Sequence, residues 1–411
     1  MRGRPRLLLL VPTSSYRTEA FVEASRSLDI DLTVASEVPS TFEPSDPDNF
    51  LTLDFADSEV AIEQAERFHR RNPIGSVVGV DDGTTVLAAV ISEALNLEHI
   101  SVDSAIAARD KHRQREILSA SGVAVPDWKV VAFSDGEHDP GIDFPVVVKP
   151  LALSASRGVI RANDEREFLA ARETVESIVR AVGQDFADER FLVERFVPGP
   201  EFAIEGLVLN GELHQLALFD KPDPLDGPYF EETIYVTPSR HSEDVKRELY
   251  DCAAHAVSAL GIDMGPVHAE LRYHEGPYVI EVAARSIGGR CSNVLRFGSE
   301  GGSLEQILVK NSLGLLDELP VRSPGAAGVM MIPIQRAGKL EAVSGVEKAL
   351  QVELITDVII TAHRGQMLVP LPEGSQYLGF IFAHGREPAE VEAALREAHG
   401  LLDIRVREGL G

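Results

Sequence analysis

The stretch that decides the reading is His268-Ala269-Glu270-Leu271-Arg272-Tyr273-His274-Glu275-Gly276-Pro277-Tyr278-Val279-Ile280-Glu281-Val282-Ala283. Apolar and polar residues alternate on both sides of Glu275-Gly276, a pair suited to a two-residue turn, so the spacing predicts a β-hairpin. In that register His274 faces Pro277, Arg272 faces Val279 and Glu270 faces Glu281. Val267, Ala269, Leu271, Tyr273, Tyr278, Ile280 and Val282 then share a core face, and His268, Glu270, Arg272 and Glu281 share the other. Two carboxylates directly opposite on a ladder repel. One is driven toward protonation unless a cation lies between them. Two oxygen ligands on a rigid hairpin suit Mg2+, with phosphate oxygens and water completing its octahedron. Taken alone, the hairpin is explained equally well by two glutamates that face solvent or pair with Arg272.

Working outward, Arg285 lies four residues beyond Glu281, and Gly288-Gly289 follow. An arginine there can stabilise charge on a transferring phosphoryl group, although a surface arginine is the plainer reading of that residue alone. Upstream, Lys149 ends the apolar run that starts at Pro145, and a lysine at a buried strand end needs an anionic partner. Ser154-Ala155-Ser156-Arg157-Gly158 offers backbone N–H groups, hydroxyls and a flexible turn that can wrap phosphates. It is not a Walker loop, and most Ser/Gly loops are only turns. Lys111 sits in the helical charge cluster Arg109-Asp110-Lys111, the usual look of a solvated face. In Glu194-Arg195-Phe196-Val197-Pro198-Gly199-Pro200-Glu201 a strand becomes a turn. A backbone edge beside Phe196 and Val197 can bind a planar base, and Glu201 can accept hydrogen bonds from ribose hydroxyls. A linker with two solvated acids fits the same residues.

The rest of the chain bounds these readings. It has 411 residues, with 39 Lys plus Arg against 65 Asp plus Glu, for a net charge of −26. That balance opposes general binding to nucleic acid or an anionic membrane. Cys252 and Cys291 cannot form a disulfide framework or, alone, a thiolate zinc site, which fits a reducing cytoplasm. Leu7–Val11 is too short for a signal-peptide core, and no run approaches the roughly 18 apolar residues of a membrane span. The expectation is a soluble, cytoplasmic, multidomain protein of mixed α/β and α+β class. Residues 1–105 alternate strand and helix patterns, which argues for a small parallel sheet with flanking helices. Its first strand is not followed by a G-x-G-x-x-G dinucleotide fingerprint. Residues 106–315 form a second unit, with an α+β piece at about 127–195, and residues 316–411 a β-rich third.

Taken together and in order, Lys111, Lys149, the Ser/Gly loop, Glu194-x-Phe-Val-x-Gly-x-Glu201, Glu270, Glu281 and Arg285 resemble the ATP-grasp superfamily. Arg17-Thr18-Glu19-Ala20-Phe21 and Ile280-Glu281-Val282-Ala283-Ala284-Arg285-Ser286-Ile287-Gly288-Gly289 make the chain look most similar to the dipeptide-forming bacterial L-amino acid ligases. The resemblance implies an ATP-grasp fold with an N-terminal pre-ATP-grasp parallel-sheet domain, a lid over 127–195 and a β-rich C-terminal domain. It implies an ATP-dependent carboxylate–amine ligase that uses ATP with Mg2+, or Mn2+ in its place. Small carboxylates and amines, amino acids among them, are the implied substrates, and a homodimer the implied assembly. By the same resemblance Lys111 and Lys149 hold ATP phosphates, and Ser154, Ser156 and Gly158 form the loop that closes over them. Glu194, Phe196 and Val197 line the adenine slot, Glu201 meets the ribose, and Glu270 and Glu281 ligate the metal. Arg285 steadies the acyl-phosphate, and His268, Gly288 and Gly289 border the substrate. Lys221 to Glu232 reads as a loop over the site, or equally as a solvated one. One departure stands out. Many ATP-grasp enzymes have Glu-x-Asn after the second strand, the Asn being a further metal ligand, and here that position is Ala283. A bicarbonate-using carboxylase or purine-type ligase, and a nucleotide-binding scaffold without chemistry, are the alternatives.

Overall fold

The computed structural model describes residues 4–13, 15–135, 140–182 and 189–407, and the stretch 127–195 therefore includes positions outside the described residues. The chain opens with β1 (Arg6–Leu10), α1 (Thr18–Ser27), β2 (Asp31–Ser36), β3 (Phe50–Thr52), α2 (Ser58–His69), β4 (Ser76–Gly79) and α3 (Asp82–Ala94). The four strands form the expected parallel sheet, ordered β3-β2-β1-β4. Leu7 to Leu10 are fully buried, because helices cover both faces of a parallel sheet. The α2 start is capped by Asp57, whose carboxylate accepts from the N–H groups of Glu59 and Val60. The β3 strand was not expected; its three residues carry no clear alternation.

Two helices follow, α4 (Val102–Arg109) and α5 (Lys111–Ala120). A small antiparallel sheet is then built from β5 (Trp128–Ala132), β6 (Val146–Pro150), β7 (Ile160–Ala162) and β8 (Arg190–Arg195), in the order β5-β8-β6-β7. Across it lies α6 (Glu165–Val182), which buries Phe168, Ala171, Val175 and Val179 against Val146, Val148 and Phe191. This piece has its own core.

The widest sheet uses β9 (Glu201–Leu209), β10 (Glu212–Lys221), β11 (Ile234–Thr237), β12 (Gly265–Tyr273) and β13 (Pro277–Ala283). The helices α7 (Glu243–Ala259) and α8 (Leu304–Ser312) precede and follow the β12–β13 hairpin. After β14 (Ala326–Ile332) come β15 (Gly338–Ser344), α9 (Val346–Ala349), β16 (Ile355–Ile360), β17 (Met367–Leu368), β18 (Gly379–Gly385), α10 (Pro388–Gly400) and β19 (Asp403–Arg407). The sheet runs β13-β12-β9-β10-β11-β14-β18-β16 without a break, so the stretch from β14 onward extends the central sheet. Only β17-β15-β19 forms a separate sheet there. No helix among the described residues is long and apolar enough to cross a membrane.

The deciding hairpin forms, but its register near the turn differs from the expected one. Tyr273 pairs with Pro277, Arg272 with Tyr278 and Leu271 with Val279, so the turn holds His274, Glu275 and Gly276. Beyond Leu271 a bulge inserts Ile280 into β13 and restores Glu270 opposite Glu281. An extra turn residue and an extra strand residue cancel. The bulge also reassigns faces. Val279, not Ile280, enters the apolar core, while Ile280 lines the same cavity as Glu281.

Candidate active site

A cavity of about 750 Å³ lies between the small sheet, the hairpin and the C-terminal edge of the parallel sheet. Lys111, Lys149, Ser154, Ser156, Glu194, Phe196, Val197, Glu201, His268, Glu270, Glu281, Arg285, Gly288 and Gly289 all line it. The one exception among the expected residues is Gly158. It shapes the loop instead: its φ is +73°, an added Cβ would lie 3.2 Å from Pro150, and its N–H donates to Pro372 O at 2.9 Å.

Burial explains most of the charge arrangement. Lys149, at the end of β6, reaches Glu194 at 2.5 Å, and Arg115 of α5 grips the other Glu194 oxygen. The anionic partner that a buried strand-end lysine requires is thus supplied within the protein. Burial works to raise the Glu194 carboxyl, but Arg115 and Lys149 overcome it and hold its pKa down to about 2. Glu194 and Glu201 are both buried, which excludes the reading of a linker with solvated acids. Lys111 is buried too, not part of a solvated face. Its Nζ donates to Leu153 O at 2.9 Å and to Glu281 at 3.1 Å.

Lys221 corrects a second expectation. It is not in a solvated loop but ends β10 as a buried side chain. Its Nζ lies 2.7 Å from Glu201, 2.5 Å from Glu232 and 3.3 Å from Glu270. The three carboxylates converge closely enough to hold a metal ion, yet the lysine ammonium already stands among them. Glu201 also lies 3.4 Å from Arg272, so ion pairs hold the side chain expected near the ribose. His268 sits between acids, with Nδ1 3.5 Å from Glu205 and Nε2 3.3 Å from Glu270.

Glu270 and Glu281 face each other across β12 and β13 and line one cavity. They are hard oxygen donors, a set that fits Mg2+. Ala283 adds no ligand.

The opposite end of the cavity is built from residues that the sequence did not single out. Tyr16, Asp81 and Asp82 come from the first unit, and Met331, Gln366, Tyr377 and Phe380 from the last. Arg285 is held there by Asp82, at 2.7 and 2.8 Å. The Tyr16 hydroxyl accepts from Gly289 N–H at 2.5 Å. Asp81-Asp82 at the end of a parallel strand was the available signal, since ligands favour that edge of such sheets. Tyr16 and Tyr377 gave none.

A small antiparallel sheet and a wide antiparallel sheet flank one cavity of lysines and carboxylates, an arrangement suited to a nucleotide-using enzyme. The family comparisons agree. Residues 142–294 match the ATP-grasp domain model, 22–99 the ATP-grasp N-terminal domain and 330–407 the L-amino acid ligase C-terminal domain 2. The structure is similar to the crystal structure of L-amino acid ligase from Bacillus licheniformis: TM-score 0.85, 28% identity, 99% of this chain and 100% of that one. Alanine–anticapsin ligase of Bacillus subtilis is 29% identical over 48% of this chain, a match spanning about half (45%) of that enzyme's length. Dapdiamide A synthase of Enterobacter agglomerans is 26% identical over 61% of each chain. The chain belongs to the ATP-grasp superfamily, as an ATP-dependent carbon–nitrogen ligase.

Proposed function

We propose that this enzyme condenses a small carboxylate with an amine through an acyl-phosphate, releasing ADP and phosphate, and that both substrates are amino acids or close relatives. The observation that carries the reading is the meeting of Glu270, Glu281, Lys111, Lys149 and Arg285 in one cavity. A carboxylate is a poor electrophile; phosphorylation gives it a leaving group that the amine then displaces. Lys149 and Lys111 are the cations whose remaining ammonium N–H groups would meet phosphate oxygens. Phe196 and Val197 offer an apolar wall for adenine, and Glu201 is the ribose-facing acid. Glu270 and Glu281 are the residues to hold Mg2+, which when bound neutralises phosphate charge. Arg285 stabilises charge on the acyl-phosphate and on the adduct formed by the amine.

In this reading residues 1–105, 106–315 and 316–411 act as three units, and the piece over 127–195 closes as a lid. Water would hydrolyse the acyl-phosphate, so a lid that excludes it protects the intermediate. Support for amino acid substrates comes from relatives named as alanine–anticapsin and L-amino acid ligases. The test is ATP-dependent phosphate release with paired amino acids, read beside mass spectrometry. Release that needs both partners and yields a condensed product is expected; release with bicarbonate in place of the organic carboxylate would point to a carboxylase instead.

A further inference from the structure

We infer that Asp82 is a positioning residue for Arg285, so that the first α/β unit completes the reaction end of the cavity. The inference rests on the role proposed above for Arg285. Arg285 Nε and Nη2 donate to the two Asp82 oxygens at 2.7 and 2.8 Å, and Nη1 donates to Ser286 O at 3.0 Å. A guanidinium carries five N–H groups. Three are used, which leaves one on each terminal nitrogen with no protein acceptor among the described residues. Those two form the fork that takes two oxygens of one phosphate or carboxylate. A two-point grip by Asp82 fixes the plane of the guanidinium, and the plane decides where the fork points.

The grip is itself anchored on both sides. At the start of α3 the Thr84 hydroxyl accepts from Asp81 N–H at 3.2 Å and donates to Asp81 O at 2.9 Å, which sets the turn that presents Asp82. Gly79 permits that turn to pack close, since a Cβ there would lie 2.6 Å from the Thr84 backbone. On the other side Arg17 donates to Ser286 Oγ at 2.9 Å, Ser286 O at 3.0 Å and Ile287 O at 2.7 Å, and lies 3.5 Å from Asp81. Asp82 therefore sits on backbone that its own unit holds, and Arg285 precedes backbone that Arg17 of the first unit holds. Without Asp82, the charge of Glu281 is left to pull on the guanidinium.

The test compares the wild type with Asp82→Asn, Arg285→Ala and the double variant. One readout is the affinity for inorganic phosphate in the presence of MgADP, by calorimetry; the other is steady-state ligation. Asp82→Asn is expected to leave ADP affinity within about twofold and to weaken phosphate by about fivefold or more, the effect of one hydrogen bond to a charged group. It should lower kcat by about tenfold or more with the KM for ATP unchanged, as misplacement of a reacting group does. In the Arg285→Ala background the same change should cost less than about twofold, because a residue that acts through Arg285 has nothing left to position. Asp82→Glu keeps the charge but shifts the carboxylate, and serves if the Asn variant does not fold; it should give losses of the same kind and smaller size. Equal phosphate affinity in wild type and variant, no measurable phosphate binding by the wild type, or full loss in the Arg285→Ala background would each overturn the inference. If the wild type condenses no carboxylate–amine pair while the phosphate results hold, the ligase reading falls and the positioning role stands.

Discussion

The two ends of the cavity are built differently. The end proposed to take the nucleotide draws on α5, β6, β8, β9 and β10, where each polar residue is fixed by its place on a strand or helix and by a buried counter-charge: Lys149 on Glu194, Glu194 on Arg115, Lys221 on Glu201. The reaction end is assembled from separate loops near residues 16, 82, 285 and 377. The first end is a rigid strand-borne framework. The second exists only when distant parts of the chain meet. Electrostatic order should therefore be intrinsic to the nucleotide end and conditional on packing at the other.

The largest effect is expected where the ends join. Glu281→Gln removes a carboxylate from the hairpin pair, and kcat should fall by roughly 10²–10³, the size seen when one preorganised electrostatic partner is lost. Steady-state kinetics at saturating ATP and magnesium check it, and a change of only a few-fold would sever the hairpin from the chemistry. Next is Arg115→Met, which leaves buried Glu194 with Lys149 alone. Breaking a buried charge network costs about 3–5 kcal/mol, so the unfolding midpoint in urea should drop sharply. The same network predicts acid sensitivity. Glu194 has its pKa lowered from 4.5 to about 2 in the folded protein. A depressed carboxyl adds stability that is fully present above pH 4.5 and is lost as the pH falls toward 2. Urea titrations across that window should show the loss in the wild type and a smaller one in Arg115→Met.

Smaller effects should sort by end. Phe196→Ala should raise the KM for ATP by roughly tenfold and leave the other substrates unaffected, as expected when an apolar wall is removed. Tyr16→Phe, which deletes the hydrogen bond to Gly289, should cost about 1 kcal/mol in kcat/KM for one organic substrate and nothing for ATP. Crossed effects in these last two variants would erase the distinction between the ends.

The same contrast governs what the sequence revealed. The facing glutamates, Lys149 and the strand-to-turn Glu194–Glu201 are local patterns, and Glu270, Glu281, Lys149, Glu194, Phe196, Val197 and Glu201 line the cavity. The hairpin register was legible at Glu270 and Glu281 and wrong near the turn, because alternation does not report a bulge at Ile280. The role of Gly158 in shaping the loop rather than lining the cavity depends on Pro150 and Pro372, which no spacing rule connects to it. Asp82 and Arg285 are 203 residues apart, and nothing in either neighbourhood announces the other. Lys221 looked like part of a loop because the burial that makes it an internal counter-ion comes from three separate strands and turns. In the fold, the parallel sheet and the small α+β piece followed from periodicity. The merging of the stretch from β14 onward into the central sheet did not, since strand partners are set by packing.

The central claim is that one cavity couples ATP cleavage to the joining of a carboxylate and an amine. Its most direct test is phosphate release from ATP across a matrix of amino acid pairs, with magnesium present and withheld, each reaction also read by mass spectrometry. The account predicts magnesium-dependent release that requires both partners and matches, mole for mole, a product lighter than their sum by one water. Release that is independent of the amine, or complete without any condensed product, would contradict it.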